Sequence, residues 1–167
     1  MNSIITNIQR APRAVGVPPV PGRSIHLIDI ENLCGASQPT LGQVRLARQR
    51  YMDTGLLSQG DHIVIASSRG NYLNSACGWP GARYLARDGK DGADICLAKV
   101  MLEERLESRF TRVIVASGDG GLAPFVSNLA AMGVDTVAVS KSDCLSREMR
   151  LAAHRSIVLT PDIEDIA

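Results

Sequence analysis

Ser24–Ile30 reads SIHLIDI, an apolar run of strand length with one acid, Asp29, near its carboxyl end and Glu31 and Asn32 directly after it. Nearly continuous Ile, Val and Leu suit a strand buried on both faces of a parallel sheet. Five more runs follow: Asp61–Ser67 (DHIVIAS), the weaker Ala82–Ala86 (ARYLA), Thr111–Ser117 (TRVIVAS), Val134–Ser140 (VDTVAVS) and Ser156–Leu159 (SIVL). Helical patterns lie between them. Leu41–Met52 sets Leu41, Val44, Ala47 and Tyr51 on one stripe, with Arg45, Arg48 and Arg50 off it. Asp94–Ser108 gathers Ile95, Ala98, Met101 and Leu102, then Leu106. Gly121–Met132 gathers Leu122, Phe125, Val126 and Leu129 and ends at Gly133, as a helix C-terminus does. A short helix is expected near Ser146–Ala153. Strands alternating with helices predict an α/β fold, a three-layer α/β/α sandwich around a mostly parallel central sheet.

Length and composition agree with one such domain. The chain has 167 residues, 45% hydrophobic and 21% charged, close to the globular average. Residues 1–23 read as a tail, since Pro12, Pro18, Pro19 and Pro21 interrupt any periodicity. The domain is expected over 24–160, and 161–167 as a C-terminal tail. No apolar run reaches the length of a membrane span, and Met1–Gly22 has no signal-peptide core, so a cytoplasmic protein is expected. The net charge of +1 exerts no general pull on nucleic acid or membrane. Cys34, Cys77, Cys96 and Cys144 contain no CxxC pair, which leaves a zinc or thioredoxin-type site without support.

In an open parallel sheet, ligands bind at the carboxyl ends of the strands, and the acids collect there. Asp29 closes the first strand. Asp119 follows the strand Thr111–Ser117 within Ser117-Gly118-Asp119-Gly120, and Asp91 and Asp94 open the long helix before that strand. Each has a plainer reading. Asp91 and Asp94 have capping-box spacing, and Asp119 precedes a helix that it can cap. Asp29, between Ile28 and Ile30, caps nothing obvious, and burying an unpaired carboxylate is costly. Two carboxylates about 5 Å apart repel by about 3 kcal/mol at an effective dielectric of 20, so three in one pocket protonate or recruit a cation. Hard oxygens without thiolates or paired His suit Mg²⁺ or Mn²⁺, which activate water and stabilise a transferring phosphoryl group. His26 reads as a satisfied core histidine, and His62 and His154 as structural or surface residues. Ser67, Ser68, Arg69 and Asn71 follow the second strand on the same edge, either as site residues or as an ordinary turn. Gly118–Gly121 lacks both the dinucleotide fingerprint and a P-loop Lys.

Three segments occur in order: Ile28-Asp29-Ile30-Glu31-Asn32-Leu33, Asp91-Gly92-Ala93-Asp94 and Ser117-Gly118-Asp119-Gly120. Together they resemble the NYN domain, a branch of the PIN-like nuclease superfamily, over about Ser24 to Thr160. The resemblance implies a PIN-like fold and a metal-dependent ribonuclease whose site is lined by Asp29, Asn32, Asp94 and Asp119. Asp29, Asp94 and Asp119 would hold Mg²⁺ or Mn²⁺, with Asp91 and Glu31 supplementary, and Asn32 and Ser117 would orient ligands or water. In-line attack of water would leave a 5′-phosphate and a 3′-hydroxyl. The expected partner is RNA, single-stranded rather than duplex, with a homodimer as a further candidate assembly. Ser68, Arg69 and the Arg45/Arg48/Arg50 group are candidate phosphate contacts. Many members of the family carry an additional Asp where this chain has Gly121, which removes a ligand and brings forward an alternative, an inactive module that binds RNA or protein. A third reading is a phosphohydrolase of the haloacid-dehalogenase type, with an early strand-end acid and a late Gly-Asp-Gly. Against it, Asp29 is followed two residues on by Glu31 rather than a second Asp.

Overall fold

The computed structural model describes residues 5–6 and 22–159. Most of the expected N-terminal tail and the expected C-terminal tail lie outside these residues. The elements run β1 (Ile5–Thr6), β2 (Ser24–Asp29), α1 (Ile30–Cys34), α2 (Leu41–Asp53), β3 (His62–Ser67), a 3₁₀ turn (Arg69–Asn71), α3 (Tyr72–Gly78) and β4 (Arg83–Ala86). They continue with α4 (Gly92–Glu103), α5 (Leu106–Arg109), β5 (Arg112–Ala116), a second 3₁₀ turn (Gly120–Leu122), α6 (Ala123–Ala131), β6 (Asp135–Lys141), α7 (Arg147–Ala152) and β7 (Arg155–Leu159).

Six strands form a parallel sheet in the order β4-β3-β2-β5-β6-β7, and β1 adds antiparallel to β7. The expected three-layer α/β/α sandwich is therefore present. Each central strand faces two cores, which explains its unbroken apolar sequence. On one face Ile25, Leu27, Val113 and Val115 meet Leu97, Val100 and Met101 of α4, Val126 and Leu129 of α6 and Met149 of α7. On the other, Ile28, Ile65, Ile114 and Val139 meet Leu33 of α1, Val44 and Tyr51 of α2, and Trp79. Among the described residues no helix is long and apolar enough to cross a membrane.

The chain winds from β2 outward to β4, returns across the sheet through α4, and continues from β5 outward the other way. The strand order thus reverses between β2 and β5, and a crevice opens above their carboxyl ends. Asp29 ends β2, and Ser117-Gly118-Asp119 follows β5 beside it, since Ile28 pairs with Ala116. The return helix α4 packs over β2, β3 and β4, so its first turn, with Asp94, lies at the same edge.

Several expected boundaries move. Ile30 does not extend β2; it starts α1. The helix expected over Asp94–Ser108 is two helices, divided at Arg105 in the left-handed region (φ 51°). The reason is burial: Leu102 is 60% exposed and Leu106 fully buried, whereas residues four apart in one helix share a face. Neither α1 nor α3 was expected from the sequence. The Arg45/Arg48/Arg50 group is not one solvated surface, because Arg50 is buried while Arg45 is exposed.

His26 is the satisfied core histidine expected. It points to the α2 side, where Nδ1 lies 2.6 Å from the Tyr51 hydroxyl and Nε2 3.1 Å from Asp61 Oδ2. Asp61 also accepts from the N–H groups of Ser24 and Ser58, both at 2.9 Å. Burial pulls the His26 pKa below its ordinary value, against the pull of Asp61.

Candidate functional site

Asp29 is a cap after all: its Oδ1 accepts the Asn32 N–H at 3.0 Å at the start of α1. A five-residue helix lacks the long apolar pattern that would announce it, so the sequence did not reveal this role. Asp29 is nevertheless costly, being only 7% exposed. Burial pushes its pKa up to about 6, opposed by the Asn32 hydrogen bond and reinforced by the charges of Glu31 and Asp119.

Asp94 is the centre of the acid group. It stands in the first turn of α4, where the helix dipole favours a negative charge, yet its pKa is pushed up to about 7. Burial is the main cause, followed by the charges of Asp29, Asp119 and Asp91. Its Oδ1 is buried without a hydrogen-bond partner. A buried acceptor is normally paired, so this oxygen is available to a proton or a cation.

The capping reading fails for Asp91. It precedes α4 in the left-handed region (φ 59°) and makes no side-chain cap hydrogen bond. The reading holds for Asp119, whose Oδ1 accepts the Gly121 N–H at 2.7 Å. The loop bearing Asp119 is held from two sides. Ser117, fully buried, accepts the Asp119 N–H on Oγ at 3.2 Å. Asn32 Oδ1 accepts the Gly118 N–H at 2.9 Å, which ties the β5 turn to α1. Gly118 cannot be replaced: a Cβ there would lie 1.8 Å from the carbonyl oxygen of Cys144. Gly92, beside Asp91, is in the same position, 2.2 Å from the Arg87 carbonyl oxygen.

Other expected site residues have different duties. Glu31 Oε1 accepts the Ser68 N–H at 2.7 Å and Asn71 Nδ2 at 2.6 Å, so it braces the β3 turn. Ser68 lines the cleft beside Asp29. Arg69 does not line it; the side chain is exposed and lies 3.8 Å from Asp88.

Two clefts meet at Asp91 and Asp94. One, about 180 Å³, has Asp29, Glu31, Ser68 and Arg87 in its walls. The other, about 360 Å³, runs toward α6 and has Asp119, Ile95, Ala98, Leu122, Phe125 and Lys90 in its walls. Arg87 and Lys90 were missed by the sequence reading, although Arg87 directly follows a strand, the signal that flagged the acids. Among the described residues no ion pair joins either cation to an acid.

The donor set suits a hard divalent ion in its chemistry: several carboxylates without Cys or His, and one buried oxygen with no partner. The present geometry is not that of a finished coordination sphere. Among the described residues no group of three or more His, Cys, Asp or Glu side chains is arranged to hold a metal, and Asp29 and Asp119 each face a backbone N–H.

No protein-family model and no curated protein matches the chain. A solved structure of a Vibrio parahaemolyticus protein of unknown function is similar in fold, with a TM-score of 0.55 and 13% identity. The match covers 86% of this chain and 94% of that one.

Proposed function

We propose that the protein is a metal-dependent phosphodiesterase that cleaves single-stranded RNA in the crevice above β2 and β5, in a cytoplasmic setting. One observation carries the reading: acids from three separate segments meet at the switch point, where Asp119 helps to raise the pKa of Asp29 and both help to raise that of Asp94, and one Asp94 oxygen is buried without a partner. Such a cluster is unfavourable alone and favourable around a cation. The motif resemblance to NYN domains supports the same reading.

Asp29, Asp94 and Asp119 would hold Mg²⁺ or Mn²⁺, with Asp91 beside them. When bound, the ion supplies an activated water and charge stabilisation on the phosphoryl oxygens. The chain supplies the rest. Asn32 and Ser117 fix the backbone that presents Asp119, and Glu31 fixes the turn that presents Ser68. Arg87 and Lys90 offer cationic contacts for the substrate's phosphates.

A second reading, a catalytically inert binding module, is favoured by the caps that Asp29 and Asp119 already form. Cleavage of labelled RNA in each divalent ion separates the two. We expect slow, Mn²⁺-preferring cleavage of single strands, little action on duplexes, and at least a tenfold loss in Asp94→Asn. A folded parent that is inert in every ion, together with an inert folded Gly121→Asp, leaves the binding module standing. Turnover of an aryl phosphate without RNA cleavage would instead favour the phosphohydrolase.

A further inference from the structure

We infer that the two clefts flanking Asp91 and Asp94 hold successive nucleotides of one strand, and that only one of them reads a base. The groove toward α6 stacks a nucleobase against Phe125, and the cleft toward β3 holds sugar and phosphate alone. The choice of an RNA strand as occupant rests on the proposed nuclease reading; the base-binding groove does not.

The two clefts differ in the chemistry of their walls. The groove toward α6 sets Ile95 and Ala98 of α4 opposite Leu122 and Phe125, with acids at hand and Lys90 also in its wall. An aromatic face beside small aliphatic side chains stacks the π-face of any base. Carboxylates bordering such a surface would repel a purely anionic ligand. The exocyclic amines of adenine, cytosine and guanine, however, donate hydrogen bonds to them. Lys90 supplies the opposite charge that the nucleotide's own phosphate requires. One nucleotide thus answers all three features: apolar wall, acids and cation. Its volume of about 360 Å³ lies at the lower end of the range for small-molecule sites, about 300–1,000 Å³.

The cleft toward β3 is half as large, about 180 Å³, and has no aromatic or large aliphatic side chain in its walls. Its cation is Arg87, whose planar fork suits phosphate; Asp29, Glu31, Asp91 and Asp94 also line it, so a phosphate enters this cleft only with the divalent ion of the proposed nuclease reading. Sugar and phosphate fit this cleft and a stacked base does not. Recognition is therefore one-sided, strong for the base in the α6 groove and indifferent to the base across the acids.

The test uses the whole chain without metal, followed by NMR titration with adenosine 5′-monophosphate and with ribose 5-phosphate, which differ only in the base. We expect the nucleotide to bind at least tenfold more tightly and to shift the Ala98 and Phe125 resonances. Phe125→Tyr should keep that preference. Ala98→Met, which fills the groove from the opposite wall without removing core atoms, should reduce it below twofold in a protein with native spectral dispersion. Equal binding of the two probes overturns the inference, as does a preference that survives in folded Ala98→Met. RNA cleavage without any base preference overturns this inference and leaves the nuclease reading intact. A base preference with no cleavage in any divalent ion by either the parent or a folded Gly121→Asp supports the base-binding groove and ends the nuclease reading, and with it the RNA strand as occupant.

Discussion

Replacing Asp29 by Asn separates the cost of the carboxylate from the cap that it forms. The folded-state pKa of about 6, against the ordinary 3.8, means that ionising Asp29 at neutral pH opposes folding by about 3 kcal/mol at 1.36 kcal/mol per pKa unit. Asn keeps the cap, because its side-chain oxygen accepts the Asn32 N–H as well as Asp does, and its amide donates toward the neighbouring carboxylates of Glu31 and Asp119. After the amide's own desolvation, a gain of about 2 kcal/mol is expected at pH 7. For a domain of this size that is roughly 4–8 °C in Tm. The sign with pH follows from the direction of the shift. Between about pH 4 and pH 6 the folded parent binds more protons than the unfolded chain, so its stability falls as pH rises; the Asp29→Asn variant lacks the Asp29 share of that slope and keeps the share of Asp94, whose pKa is pushed up to about 7. The difference between parent and variant should therefore be small at pH 4, open between pH 4 and 6, and stay constant above. Calorimetric melting of both proteins in a chelator measures it. With Mg²⁺ at about a hundred times Kd the order should reverse, because binding would stabilise the parent by about 2.7 kcal/mol while the variant lacks a ligand. A variant less stable than the parent at pH 7, or a difference independent of pH, refutes the argument that burial and repulsion dominate at Asp29.

Gly121→Asp should fold: its φ is not positive, and a Cβ there meets only the Asp119 carboxylate, at 3.2 Å. With a further acid beside the cluster, Mn²⁺ affinity by calorimetry should rise at least threefold while the Tm in chelator falls; unchanged affinity would place Gly121 outside the site. Tyr51→Phe removes the hydroxyl 2.6 Å from His26 in a fully buried network and should cost about 1–3 kcal/mol in urea denaturation, with a change below 0.5 kcal/mol (roughly the surface-substitution scale) showing that the network contributes little.

The fold was legible where one physical signal dominated. Long apolar runs such as Thr111–Ser117 are strands because both faces of the sheet are covered. The stripe Val44, Ala47 and Tyr51 marks α2 because only one face of that helix is covered. Short helices left no comparable trace. In α1, Ile30 and Leu33 are buried, but two apolar residues at helical spacing also fit the end of a strand. The division at Arg105 was hidden for the opposite reason. Leu102 and Leu106 have the spacing of one face, and only the packed structure reveals that one is exposed and the other buried.

The same limit governs the site. Strand-end position singled out Asp29 and Asp119, whereas Asp94 came from the opening turn of a helix and from the motif resemblance; the three lie at one edge because the strand order reverses between β2 and β5 and α4 returns over β2. Sequence spacing could not say which carboxylate also serves as a cap, since that depends on whether a backbone N–H turns toward it. The structure divides these duties unevenly. Asp29 is held by the backbone N–H groups of Asn32 and Glu31, Asp119 accepts that of Gly121, Glu31 is engaged by Ser68 and Asn71, and Asp94 retains a buried oxygen with no donor. Capping needs one oxygen of a carboxylate, so the cap role of Asp119 leaves that acid with capacity toward the crevice. Asp94 makes no cap, and its position is unfavourable for a lone charge. The helix dipole offsets only part of that cost, and a proton shared with Asp119 or a bound cation relieves the rest. If the proposed nuclease reading holds, Asp94, rather than the more deeply buried Asp29, is therefore the acid whose neutralisation should most affect activity for the least harm to the fold.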